Sequence, residues 1–224
     1  MNIKFIANSQ AVARELQVFF PQADIECIYN LAGDLPHRNI EKIKRIGVVA
    51  MFAPWKGLHE VLWMALFYEK ELKAMGIEGI SFYGADIYQT DGEHVLYFNQ
   101  LKALNGKISP GFVEWRGKKS PSDIFSEIDL LVHSSILPEP FGRVIIEAFK
   151  SGIPVISTGL GGAAELLEGN KFGLTYQVHE YTELYKAIQS SCLNLSVTSL
   201  RNSAAFEISS LLEIHTKNKI RSIL

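Results

Sequence analysis

The chain has 224 residues, enough for one sizeable core or for one domain with an appendage. Its 47% hydrophobic and 21% charged content is that of a globular chain and excludes a disordered or fibrous one. A formal net charge of −2 supplies no global field for nucleic acid, which is therefore not an expected partner, although a local nucleotide site stays open.

Met1 to Ala7 carry one lysine and no long apolar core, which argues against a signal peptide. No run reaches the roughly 18 apolar residues of a membrane-spanning helix, so the expected location is the cytoplasm. Ser9 can cap a helix whose apolar face is Val12, Leu16 and Phe19, and Pro21 stops it. Ile25 to Tyr29 is a short strand candidate. Residues 1–30 therefore read as the tail end of an earlier, absent domain. Residues 31–42, with Gly33, Asp34, Pro36 and Asn39, read as a linker.

From 43 to 198 the pattern changes. Strand-like runs at Ile46–Ala50, Ile80–Tyr83, Phe112–Trp115, Ile128–His133, Val155–Ser157 and Gly173–Tyr176 alternate with stretches of helical spacing. Those helices are marked by Leu58, Leu62 and Leu66, by Val95, Phe98 and Leu101, by Val144, Ile145 and Ala148, and by Leu184, Ala187 and Ile188. Such alternation predicts an α/β fold, a Rossmann-like doubly wound parallel sheet of about six strands. Residues 199–224 read as a helical extension with a basic end at Lys217, Lys219 and Arg221.

The strongest chemical signal is Pro138-Glu139-Pro140-Phe141-Gly142-Arg143-Val144-Ile145-Ile146-Glu147-Ala148. Pro140 suits a helix start, and Gly152 a helix end. Glu139 then stands at the helix entrance, near the carboxyl edge of the sheet, where α/β proteins bind ligands. The free N–H groups of Phe141, Gly142 and Arg143 can face a phosphate or a sugar oxygen. Taken alone, a Glu at a helix start is a cap and a Glu inside a helix is solvated. Glu147, however, lies between Ile146 and Ala148 in a helix bounded by two apolar strands, where a carboxylate needs hydroxyl or amide partners. Lys56, in Ala53-Pro54-Trp55-Lys56-Gly57, occupies a loop between a strand and a helix. The glycine-rich turn Thr158-Gly159-Leu160-Gly161-Gly162 allows close backbone approach but is not the G-x-G-x-x-G of a dinucleotide site.

This E-x7-E run, followed by Ser151-Gly152-Ile153-Pro154-Val155-Ile156, resembles the signature of family 4 glycosyltransferases, and the resemblance covers about residues 5–190. It implies the C-terminal, donor-binding half of a GT-B fold. The intact enzyme would move a glycosyl group from a UDP- or GDP-linked sugar to an acceptor hydroxyl with retention, and this half alone would be inactive. By resemblance, Glu147 binds the ribose, Glu139 the donor sugar, and the Phe141, Gly142, Arg143 and Val144 backbone the sugar and diphosphate. Lys56 stabilises the leaving diphosphate. Gly161 and Gly162 lie beside the donor together with the downstream Glu165. Trp115-Arg116-Gly117-Lys118 resembles the segment that reads the base, and Gly84 the family's strand-end glycine. Met51 stands where many members place an Arg, and Arg143 is the candidate replacement.

The implied partners are the nucleotide sugar and a missing N-terminal acceptor domain; the short basic clusters Lys42-Lys44-Arg45 and Lys118-Lys119 read as solvated, with peripheral contact to a membrane surface or an anionic acceptor as the alternative. No cofactor is implied. No metal is expected either, since the six histidines show no H-x-x-x-H or H-E-x-x-H spacing. The competing reading is a non-catalytic nucleotide-sugar-binding module.

Overall fold

The computed structural model describes residues 4–85 and 92–223. Met1–Ile3 of the expected N-terminal segment and Leu224 of the expected extension lie outside them. The chain opens with β1 (Lys4–Ala7), α1 (Gln10–Phe19) and β2 (Asp24–Cys27), and the two strands pair in parallel as a separate small sheet. Ser9 caps α1 as expected, its hydroxyl accepting the Val12 N–H at 3.0 Å.

The main sheet holds β3 (Arg45–Val49), β4 (Gly79–Tyr83), β5 (Val113–Gly117), β6 (Leu130–His133), β7 (Val155–Ser157) and β8 (Leu174–Thr175). The intervening helices are α2 (Leu58–Ala74), α3 (Gly92–Asn105), α4 (Pro121–Glu127), α5 (Arg143–Lys150) and α6 (Gly162–Leu167). All six strands run parallel in the order β5-β4-β3-β6-β7-β8, which is the doubly wound arrangement expected. Every residue of β4 and β6 is buried, because helices cover both faces of a parallel sheet. Strand order reverses between β3 and β6, so the loops leaving their carboxyl ends diverge and open a crevice there. Expected and observed strands agree within two residues at each end, and β7 has the expected bounds. The helix α4 carried its own signal, a Ser120 cap accepting from Asp123 N–H with Pro121 at the first helical position.

Two further helices close the chain, α7 (Tyr181–Leu193) and α8 (Leu195–Ile223). The expected extension is a brace. It crosses α5, where Glu213 pairs with Lys150 at 2.9 Å, and returns to β2, where Lys219 donates to the Cys27 carbonyl at 3.0 Å. The segment before β3 has no helix or strand but is fastened to the sheet's amino-terminal edge. Arg38 donates to the Phe125 carbonyl and to Asp129, both at 2.9 Å. The second Asp129 oxygen accepts the Lys44 and Arg45 N–H groups at 3.0 Å each.

Asp129 therefore ties the segment before β3 to the start of β6, the two central strands. Asp129→Ala leaves the Lys44 and Arg45 N–H groups without this acceptor and Arg38 with backbone carbonyls alone, and its expected cost is about 1–3 kcal/mol. Urea unfolding of the variant against the parent chain measures it.

Candidate functional site

The crevice is built from the loops after β3 and β6. After β3 the chain makes a short 3-10 turn, Pro54–Lys56, and reverses at Gly57, whose φ of 62° lies in the left-handed region. A Cβ there would lie 2.0 Å from the Ser134 carbonyl oxygen, so only glycine allows the loops to meet. Ser134 Oγ donates to the Lys56 carbonyl at 2.9 Å, and Ile136 N–H to the Trp55 carbonyl at 2.9 Å. This interlock delivers the Lys56 ammonium to Glu139 Oε1, with which it pairs.

Glu139 Oε1 also accepts the Ser135 hydroxyl, and His133 Nε2 stands 3.6 Å away. His133 Nδ1 lies 2.9 Å from Ser157 Oγ, which itself accepts the Gly159 N–H at 3.1 Å. With the Ser157 proton on Nδ1, the imidazole would present Nε2–H to Glu139. Burial pushes the Glu139 carboxyl up, but hydrogen bonds from His133, Lys56 and Ser135 and the Lys56 charge outweigh it and bring its pKa to about 2.

The glycine-rich turn holds Glu139 from behind. Gly162 N–H donates to the Glu139 carbonyl at 2.7 Å, and Glu139 N–H to the Leu160 carbonyl at 3.2 Å. A Cβ on Gly161 or on Gly162 would come within 2.4 Å of the Glu139 or Pro140 carbonyl oxygen. The close backbone approach that these glycines permit is thus made to the chain's own Glu139–Phe141 backbone. Glu165 does not face the crevice: it accepts the Gln10 and Ala11 N–H groups and so caps α1.

Gly142 takes φ 91°, so α5 starts at Arg143 instead of Phe141, and Glu147 lies one turn inside it. The first N–H groups of α5 have no intrahelical acceptor. Gly142, Arg143 and Val144 line a cavity of about 260 Å³ together with Lys56, His133, Ser135 and Glu139. Glu147 is buried, and burial pushes its carboxyl pKa up against the opposing charge and hydrogen bond of Arg143, whose Nε stands at 2.9 Å. Glu147 lines a second cavity, of about 410 Å³, with Met51, Tyr83, Gly84, Lys118 and Lys119. The two cavities share the wall Val49, Ala50 and Met51. At Gly84 a Cβ would lie 1.8 Å from the Ala50 carbonyl oxygen, so glycine is what lets this wall close.

Lys56, Glu139, Gly142, Arg143, Val144, Gly84, Lys118 and Glu147 thus gather along two adjoining cavities. Phe141 packs beneath them against Tyr29, with ring centroids 5.8 Å apart. Gly117 stands behind Gly84, accepting its N–H at 2.9 Å. Sequence reasoning missed His133, Ser134 and Ser135 as site residues. Their signal was position, a strand end directly before the Pro-Glu-Pro run.

A family model described as "Glycosyl transferases group 1" matches residues 36–196. The chain is 33% identical over 88 residues to the spore coat protein SA of Bacillus subtilis (strain 168), which covers 39% of this chain and 22% of that protein. It is 50% identical over 42 residues to a probable sucrose-phosphate synthase of Thermosipho melanesiensis, covering 19% and 10% respectively. Among solved structures, Anabaena Alr3699/HepE in complex with UDP and glucose superposes with a TM-score of 0.78 at 23% identity, over 97% of this chain and 62% of that one. The sucrose-phosphate synthase of Thermosynechococcus elongatus superposes with a TM-score of 0.78 at 16% identity, over 98% and 58%. The chain therefore spans less than two thirds of each of these relatives.

Glu139 makes stability pH-dependent with a definite sign. Its carboxyl pKa is depressed from 4.5 to about 2, so the stabilisation is complete above the unfolded value and is lost as pH falls through the folded one. The difference in unfolding free energy between the parent and Glu139→Gln is expected to be on the order of 3 kcal/mol at pH 7 and to shrink steadily between about pH 4.5 and 2. Denaturant titrations across that range check it.

Proposed function

The chain belongs to the glycosyl transferases group 1 family, and from that premise we propose that its crevice binds a nucleoside-diphosphate sugar as donor for a retaining glycosyl transfer to an acceptor hydroxyl. The observation that carries this reading is the pair of adjoining cavities, one holding Glu139 with Lys56, the other holding Glu147 with Lys118. Adjoining at the shared wall of Val49, Ala50 and Met51, they suit a sugar and diphosphate on one side and a nucleoside on the other.

In this reading Glu147, buried and with its carboxyl pKa raised, accepts the ribose diol, whose hydroxyls supply the donors it needs. Lys118 and the Gly84–Ala85 backbone border the base. UDP is the donor nucleotide we assign first, since Alr3699/HepE was crystallised with UDP and glucose, and GDP is the alternative. Glu139 stays anionic and orients the sugar hydroxyls. In the transfer, the bond between the anomeric carbon and the diphosphate oxygen breaks, and a bond to the acceptor oxygen forms on the same face. The acceptor proton passes to the leaving diphosphate. Lys56 and the N–H groups at the start of α5 stabilise the charge that develops there.

No metal is needed at the diphosphate if these groups suffice, and Arg143 supplies the second cation. Its exposed guanidinium stands at the mouth of the first cavity, which Met51 also lines. The acceptor site belongs to a preceding domain, of which we read β1, α1 and β2 as the last part. The exposed Ile6, Val18 and Phe19 on that segment support this.

Calorimetric titration with UDP, GDP and uridine tests the assignment. Glu147→Ala is expected to weaken UDP binding by roughly 1.5–3 kcal/mol, the scale of a charged hydrogen bond. Lys56→Ala should weaken UDP but leave uridine unaffected. Unchanged UDP affinity in both variants would contradict the reading.

A further inference from the structure

A second cluster of ionisable groups lies outside the crevice. Glu60 is the third residue of α2 and has no exposed surface, although a carboxylate in a first helical turn needs no burial. One of its oxygens accepts the backbone N–H of His179 at 2.8 Å. The other faces two imidazoles, His179 Nδ1 at 2.8 Å and His59 Nε2 at 3.4 Å. The ligand atoms of His59, Glu60 and His179 all lie within 4.8 Å of one another, the one such grouping among the described residues.

Three features separate this cluster from an ordinary hydrogen-bonded helix cap. Two imidazole nitrogens converge on a single carboxylate oxygen, one of them at 3.4 Å. The far nitrogen of His59, Nδ1, is anchored 3.0 Å from the Tyr97 hydroxyl, the outer-sphere partner that fixes the ring of a metal-ligating histidine. His179 sits at φ 68°, a conformation that favours glycine, so a bulky ligand residue is held in the left-handed region against its preference.

We propose that His59, Glu60 and His179 form a binding site for a transition-metal dication of the zinc class. Zinc bonds of about 2.0–2.2 Å in tetrahedral geometry set ligand atoms about 3.3–3.5 Å apart. The two separations from Glu60, 2.8 and 3.4 Å, lie close to that spacing, and all three ligand atoms fall within 4.8 Å of one another. Two imidazoles and one carboxylate are a ligand set that such ions accept. The His179 side chain is 63% exposed, which leaves the fourth position to water. When Nδ1 of His179 binds the ion, the proton it holds toward Glu60 moves to Nε2, so the imidazole stays neutral and Glu60 stays a carboxylate. The site joins the first turn of α2, which begins two residues after Lys56, to the turn between β8 and α7. It does not depend on the donor reading, since none of its residues lines either crevice cavity.

The test uses the untagged full chain after treatment with chelator. Titration with Co2+ is expected to give the visible absorption of four-coordinate cobalt, saturating at one equivalent and abolished by Zn2+. Zn2+ should also raise Tm. His179→Gly suits the left-handed backbone and so keeps the fold, yet it should weaken Co2+ binding at least tenfold. Glu60→Gln should do the same. Absence of the cobalt band in the folded parent, or an unchanged band in His179→Gly, would overturn the proposal.

Discussion

The pairing of Lys56 with Glu139 is the interaction on which the architecture of the crevice depends. Each charge arrives on a different loop, one from the end of β3 and one from beyond β6, the two strands between which the sheet changes direction. The loops can meet only because Gly57 lies in the left-handed region beneath the Ser134 carbonyl. Glu139 is held from behind by Gly161 and Gly162, where a Cβ would collide with its backbone. A largely buried carboxylate without its lysine would lose several kilocalories, so loop geometry and charge pairing enforce one another.

The two glutamates of the Pro-Glu-Pro run are chemically unlike although they stand eight positions apart. Glu139 pairs with the Lys56 cation, accepts the Ser135 hydroxyl and has His133 Nε2 beside it, and its carboxyl pKa falls to about 2. Glu147 has Arg143 alone, and burial moves its carboxyl in the opposite direction. Environment, not residue type, separates their roles. In the proposed reading, the fixed anion orients sugar hydroxyls and the carboxylate short of partners recruits them from the ribose.

The sheet and the main run of site residues were legible because each leaves a local trace. Apolar runs of three to six residues between helical stretches specify a parallel sheet, and Gly152 marks the end of α5, whose start lies three residues past Pro140. What stayed illegible is long-range. Nothing near Glu165 says that it caps a helix more than 150 residues earlier, and nothing near Gly161 says that its partner is the chain's own backbone. The exact start of α5 depended on Gly142, which can either join a helix or precede it. His59, Glu60 and His179 are invisible to spacing rules because their proximity is created by the packing of α2 against the turn before α7.

A double-mutant cycle on Lys56 and Glu139 addresses the central interaction most directly. Unfolding free energies of the parent, Lys56→Met, Glu139→Gln and the double variant at pH 7 yield the coupling between the two side chains. Paired across the crevice as described, they should couple by about 1–3 kcal/mol. A coupling below about 0.5 kcal/mol, with the single losses simply adding, would mean that the pair does not hold the two loops together and would contradict the account.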